Sequence, residues 1–176
     1  VQTALRNQHV DVDDHTEHYV VNVLTMFARS DELYERTAEG VRLKPLAHML
    51  ADAFDAPSSH LRDQALRRLG DVSLFIAGFF AQSFARKLVD IDYHIAMGGR
   101  AYGTLAESMR GSWRGQAIAA VFLELAQKFQ RLVDVLNDVA EMAYEHSDKD
   151  ILRLYEIWMN TGSPRAYSIL RRLGVE

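Results

Sequence analysis

The stretch QAIAAVFLELAQKFQRLVDVLNDVAEMAYEH, residues 116–146, decides the fold. Ile118, Phe122, Leu125, Phe129, Leu132, Leu136, Val139 and Ala143 follow one another in alternating steps of four and three. A 3.5-residue repeat of this length keeps one apolar stripe on one side of an α-helix and packs it at a shallow angle along its neighbours. Val121, Ala126, Val133, Ala140 and Met142 widen the stripe beyond a two-stranded seam. The pattern therefore predicts one long helix over about 116–146, lying in a bundle.

Working back from it, Asp71-Val-Ser-Leu-Phe-Ile-Ala-Gly-Phe-Phe-Ala81 is apolar all round. A helix with no polar face is a buried one, so a central helix is expected over about 72–87, with Asp71 as its N-cap and Gly70 ending the helix before it. The prolines 45, 57 and 164 fall where helices begin, and Gly40, Gly70, Gly162 and Gly174 fall where they stop. Asp14 with Glu17 opens the first helix, whose inner face is Val20, Val23, Leu24 and Phe27. A short helical turn is expected from Ser30 to Thr37. Leu46, Met49, Leu50 and Ala53 line the helix after Pro45, and Leu61, Ala65, Leu66 and Leu69 the one after Pro57. Asp90 or Asp92 caps a helix ending near Met109, and Ser147 and Ser163 cap the last two. No stretch alternates with period two for long enough to read as a strand. The expectation is an all-α bundle of six to eight helices, one domain over 1–176, with residues 1–12 as an irregular arm.

Composition narrows the function classes. The 176 residues are 48% hydrophobic and 25% charged, enough for a core without metal or disulfide support. With no cysteine, disulfides, thiolate metal sites and a cysteine nucleophile are excluded. The net charge of −4 is shared evenly: residues 1–88 and 89–176 each carry 12 acids and 10 bases. No basic stripe marks a nucleic-acid or membrane address. The most apolar run, Val72 to Ala81, is about half the length a bilayer span needs. With no signal-peptide layout at its start, the chain is expected in the cytoplasm.

Asp14 and His18, His48 and Asp52, and Asp90 and His94 stand four apart, a spacing that can share a cation. Neither Glu-x-x-His nor His-Glu-x-x-His occurs, so these read as helix-start acids and local pairs, and neither a metal nor a cofactor is expected. The segment Arg86-Lys-Leu-Val-Asp90-Ile-Asp92-Tyr93-His94 gathers charges, a phenol and an imidazole beside Phe75, Phe79, Phe80 and Phe84. Capping of two helix dipoles accounts for its charge order. The rival reading is a ligand pocket formed by Tyr93, His94, Arg100 and Tyr102 over Phe79 and Phe80. In it His94 serves as the acid–base group and Asp90 orients it.

Gly98-Gly99-Arg100-Ala101-Tyr102-Gly103 lacks the features of a phosphate loop and would weaken a helix by roughly 2–3 kcal/mol. Close helix packing is expected to offset that, with Gly99 and Gly103 facing Ala77, Gly78 and Ala81; a ligand against the glycines is the alternative. Thr161-Gly162-Ser163 joins two helices as in a helix-turn-helix, with Arg165, Tyr167, Ser168, Arg171 and Arg172 on the second. Trp158 and Ser168 depart from that motif, and the chain is acidic, so DNA binding is the least favoured reading. By elimination, the leading expectation is a non-enzymatic interaction or regulatory protein. Its partners would be a second copy, docked through the long helix, and another protein.

Overall fold

A computed structural model describes residues 1–28, 34–37, 40–43, 45–79, 91–111, 115–143, 148–172 and 174. The chain is all-α apart from one two-stranded hairpin. Its elements are α1 (Gln2–Asn7), α2 (Asp14–Ala28), β1 (Tyr34–Thr37), β2 (Gly40–Leu43), α3 (Leu46–Phe54), α4 (Ser59–Phe79), α5 (Ile91–Met109), α6 (Gln116–Gln127), α7 (Phe129–Ala143), α8 (Asp148–Thr161) and α9 (Pro164–Arg172). Where the sequence expects one domain, the contacts group into two compact units, Val1–Ala140 and Glu141–Glu176.

In the first unit α4 packs along α5, α5 along α6, and α3 against α4, while α2 touches both α4 and α6. The local chemistry explains most boundaries. Asp13 accepts the His15 backbone N–H on its carboxylate at 2.9 Å and so starts α2 one residue ahead of the expected cap. Val20, Val23 and Phe27 are buried as their spacing requires. Pro45, extended at φ −61° and ψ 134°, caps α3, which buries Leu46, Met49 and Ala53. Ser58 takes the Leu61 N–H at 3.3 Å and opens α4, although Leu61 itself is exposed rather than inward.

Four expectations need correction. The arm over 1–12 contains a helix, α1, because Ala4 and Leu5 find burial in the core. Tyr34–Thr37 is a strand and not a helical turn, paired antiparallel with Gly40–Leu43 from Tyr34↔Leu43 to Thr37↔Gly40. Its four residues are too few for period two to register in the sequence. Gly70 does not stop a helix, and Asp71 does not start one: α4 runs through both, and residues 69–78 are its buried part. The expected continuation over 80–87 and the caps at Asp90 and Ser147 lie outside the described residues. Finally, the long helix is two, α6 and α7, meeting at Lys128. No proline or glycine stands there. Lys128 Nζ reaches the Asp11 carbonyl at 2.6 Å and Glu124 at 2.8 Å, and Phe129 wedges onto Gly98 of α5. Both contacts fall at the break, where Lys128 itself leaves helical geometry at φ −104° and ψ 14°.

The middle of the stripe is buried inside the first unit, at Phe122, Leu125, Phe129, Leu132 and Leu136, while Ile118 and Met142 near its ends are exposed. Gly98 is where α5 comes closest, since a Cβ there would collide with the Phe129 ring and stand 2.7 Å from Ser73 Cβ. Gly99 and Gly103 face Phe129 and Ala126, and Gly78 faces Leu136. The glycine segment thus packs on helices, but on Phe129 and Ala126 of α6–α7 and Ser73 of α4 rather than on Ala77 and Gly78 as expected, Ala81 lying outside the described residues. The second unit is a helical hairpin. Gly162, left-handed at φ 64°, ends α8, and Ser163 caps α9 by accepting the Ala166 N–H at 3.3 Å.

Candidate functional site

The most chemically loaded place in the chain is the middle of α4. Asp71 is only 5% exposed, and a carboxylate so placed needs partners in its charged form. Two phenols provide them. Tyr19 of α2 donates its hydroxyl to Asp71 Oδ1 at 2.6 Å, and Tyr102 of α5 donates to the same oxygen at 2.7 Å. Arg67, one turn earlier on α4, donates from Nε to the Tyr19 hydroxyl oxygen at 2.9 Å and stands 3.9 Å from Asp71 Oδ2. Its guanidinium also lies 5.2 Å from the Tyr19 ring centre, a cation–π distance.

Local sequence makes this meeting of three helices possible. A Cβ on Gly70 would run into the Tyr102 ring, so the glycine lets the phenol lie flat against α4 and reach the carboxylate of the next residue. Phe122 of α6 closes the cluster, edge-on to Tyr19 at 5.3 Å and tilted against Tyr102 at 5.6 Å. Burial pushes the Asp71 carboxyl above its ordinary value, against the pull of both hydroxyls and of the Arg67 and Arg68 charges. Burial also raises both phenols, Tyr102 most plainly, and the Asp71 charge adds to it. They therefore act as hydrogen-bond donors. Tyr102 is fully buried, so the cluster meets solvent only on its Arg67 side. Its hydrogen bonds join α2, α4 and α5 at one level.

The residues singled out from the sequence do not come together as one pocket. Tyr93 and Arg100 are exposed on α5, whereas His94 and Tyr102 are buried on its inner side. The Tyr93 and His94 rings stand edge to face at 6.1 Å. Tyr102 is committed to Asp71. Phe79, partly buried, stacks on Phe75 at 5.0 Å. Asp90 and Phe80 lie outside the described residues. Sequence reading missed Asp71, Tyr19 and Arg67. The signal was present: an acid set directly before an all-round apolar run must be either a cap or a paired buried charge, and Tyr19 and Tyr102 were there to pair it.

Elsewhere, Glu124 of α6 binds the Asp13 backbone N–H at 3.1 Å and Lys128 at 2.8 Å, tying the start of α2 to α6. Burial raises its carboxyl, but the hydrogen bonds from Lys128 and Asp13 outweigh that and hold it below its usual range. Among the described residues no group of three or more His, Asp or Glu side chains is placed to hold a metal ion. No described helix is long and apolar enough to cross a membrane. In the hairpin, Trp158 packs on Tyr167 at 5.3 Å and on Tyr155 at 5.8 Å, filling the corner that a helix-turn-helix keeps small.

Fold and site together define a helical protein organised around a buried carboxylate shared by two phenols. Compared with protein-family models, curated proteins and solved structures, the chain gives no match.

Proposed function

We propose that this chain is a non-enzymatic interaction protein that docks through its α8–α9 hairpin, with a second copy of itself as the first partner. One observation carries the reading: Leu152, Tyr155 and Met159 of α8, spaced i, i+3 and i+7, are 62%, 41% and 62% exposed. That spacing is how an amphipathic helix presents anchors to a groove or to another helix. Ile157 and Tyr167 are exposed as well. The hairpin unit, Glu141–Glu176, falls below the roughly 40 residues at which a helical unit usually buries enough surface to stand without an oligomeric partner. A twofold copy lays the same stripe against itself and satisfies both at once.

Self-association was expected through the long helix. The hairpin is the better seat, because the middle of the α6–α7 stripe is buried and leaves only Ile118 and Met142 exposed near its ends, whereas Leu152, Tyr155 and Met159 stand exposed along one side of α8. The chemistry of the Asp71 cluster also favours an interaction role, since its reactive groups are used up in mutual hydrogen bonds.

Light scattering of the full chain at micromolar concentration tests the proposal. A mass near twice the 20.0 kDa of the chain is expected. Replacing Leu152 and Met159 together by Glu should return it to one chain without loss of helical circular dichroism. A wild-type mass near 20 kDa would refute self-docking.

A further inference from the structure

A second feature belongs to the first unit, shares no residue with the Asp71 cluster, and goes beyond the reading just given. Between α3, the start of α4 and the end of α5 is an open cleft of about 560 Å³, within the roughly 300–1,000 Å³ of small-molecule sites. Leu66, 6% exposed, forms its base, and Phe54, 70% exposed, stands on its lip. Arg62 and Asp63 of α4 and Glu107 of α5 line it with Thr104. Consecutive residues on a helix do not face each other, so Arg62 and Asp63 diverge around the cleft. Leu66 lies four residues beyond Arg62 and three beyond Asp63, which sets the apolar base under both stems. Thr104 and Glu107, three apart, form one edge of α5.

These charges are of opposite sign and share one opening, yet among the described residues none of the three makes a side-chain ion pair or hydrogen bond. One cation and two anions around an apolar base have a definite complement: one carboxylate, two cationic groups and an aliphatic stem between them. We propose that the cleft binds a free basic amino acid of the lysine or arginine type. Its α-carboxylate meets the Arg62 guanidinium in the two-pronged geometry such pairs prefer. Its α-ammonium and side-chain cation meet Asp63 and Glu107. Its methylene stem lies over Leu66 with the Phe54 ring at hand. A neutral amino acid leaves one acid without a partner, a diamine leaves Arg62 without one, and a dicarboxylate brings two anions to a cleft that already holds two.

Titration calorimetry of the full chain at low salt, with L-lysine and L-arginine as probes, tests this. L-norleucine lacks the side-chain cation and cadaverine lacks the carboxylate. Saturable binding at one ligand per chain is expected, with both basic amino acids bound at least about fivefold more tightly than either control. Arg62→Gln should weaken lysine by about fivefold without weakening cadaverine, from which it removes a like-charge neighbour, whereas Glu107→Gln should weaken both. Both positions are exposed, so an unchanged melting temperature shows that the fold is retained. Absence of saturable binding at millimolar ligand overturns the proposal, and so does lysine binding that neither variant alters. The mass of the protein is measured separately, so a failed cleft and a failed hairpin interface are distinguishable.

Discussion

At the scale of single residues, the Asp71 carboxylate is the most informative. Both tyrosine hydroxyls converge on the same oxygen, Oδ1, while Oδ2 faces Arg67. An amide oxygen can accept the same two bonds, so Asp71→Asn should cost no more than about 1 kcal/mol. Asp71→Ala leaves two phenols without their acceptor and should cost about 3 kcal/mol, read as a shift in urea midpoint. The sign of the pH effect follows from the raised carboxyl. The folded state holds the proton more tightly than the unfolded chain, so stability falls as pH rises from the ordinary 3.8 through the higher folded-state value, and is level above it. Asp71→Asn should remove that slope. Glu124 runs the other way: its lowered carboxyl contributes stability above its ordinary 4.5, which is lost as the pH falls through the folded-state value. The acid limb should therefore survive in Asp71→Asn and shrink in Glu124→Gln, where Asp13, lowered by its hydrogen bonds with His15, still contributes. Gly98 supplies a test of a different kind. A methyl group there must displace the Phe129 ring, so Gly98→Ala should destabilise by about 1–3 kcal/mol, although alanine is the better helix former.

At the scale of elements, periodicity read most inner faces correctly, with Leu61 and Ile118 exposed as exceptions, and went astray where helices are joined or split. The inner faces of α2 and α3 and the stripe of α6–α7 were legible because burial of one face imposes its spacing on the sequence. The continuity of α4 through Gly70 was not, since glycine in a sequence marks either a stop or a close approach. Only the Tyr102 ring lying against it decides between them. The break at Lys128 is the reverse case, an uninterrupted pattern that breaks where Lys128 is tethered to the Asp11 carbonyl. Lys128→Met keeps the apolar stem but removes that bond and the one to Glu124. It should cost about 1 kcal/mol in thermal or urea unfolding. It should also speed amide exchange at the start of α2, where Glu124 holds the Asp13 N–H.

For the molecule as a whole, stability is expected to be unequal between the two units. Residues 69–78 are buried almost without interruption, so their amides should exchange only on global unfolding. Among the described residues the hairpin buries Ala166 and Leu170, against ten consecutive residues in α4, and it should open at lower free energy. If a second copy covers α8, protection of the α8 amides should rise with protein concentration while that of 69–78 stays constant. Hydrogen exchange at two concentrations checks this, and equal α8 protection at both would count against the hairpin interface.

What the sequence by itself determined is the helical class, most helix starts and the inner face of each amphipathic helix, because caps and periodic burial are local and repeat along the chain. Tertiary structure alone decided that Asp71 is a shared acceptor rather than a cap and that Gly70 and Gly98 are contact points. It also decided that Tyr102 turns inward to Asp71, away from Tyr93 and Arg100, and that the middle of the long stripe is buried while Leu152, Tyr155 and Met159 of α8 are exposed. Each of these depends on which residues of distant segments meet, such as Tyr19 with Asp71 across 52 positions. A local pattern holds no record of such a meeting, since a buried acid and a capping acid look alike until the partner that neutralises one of them is in place.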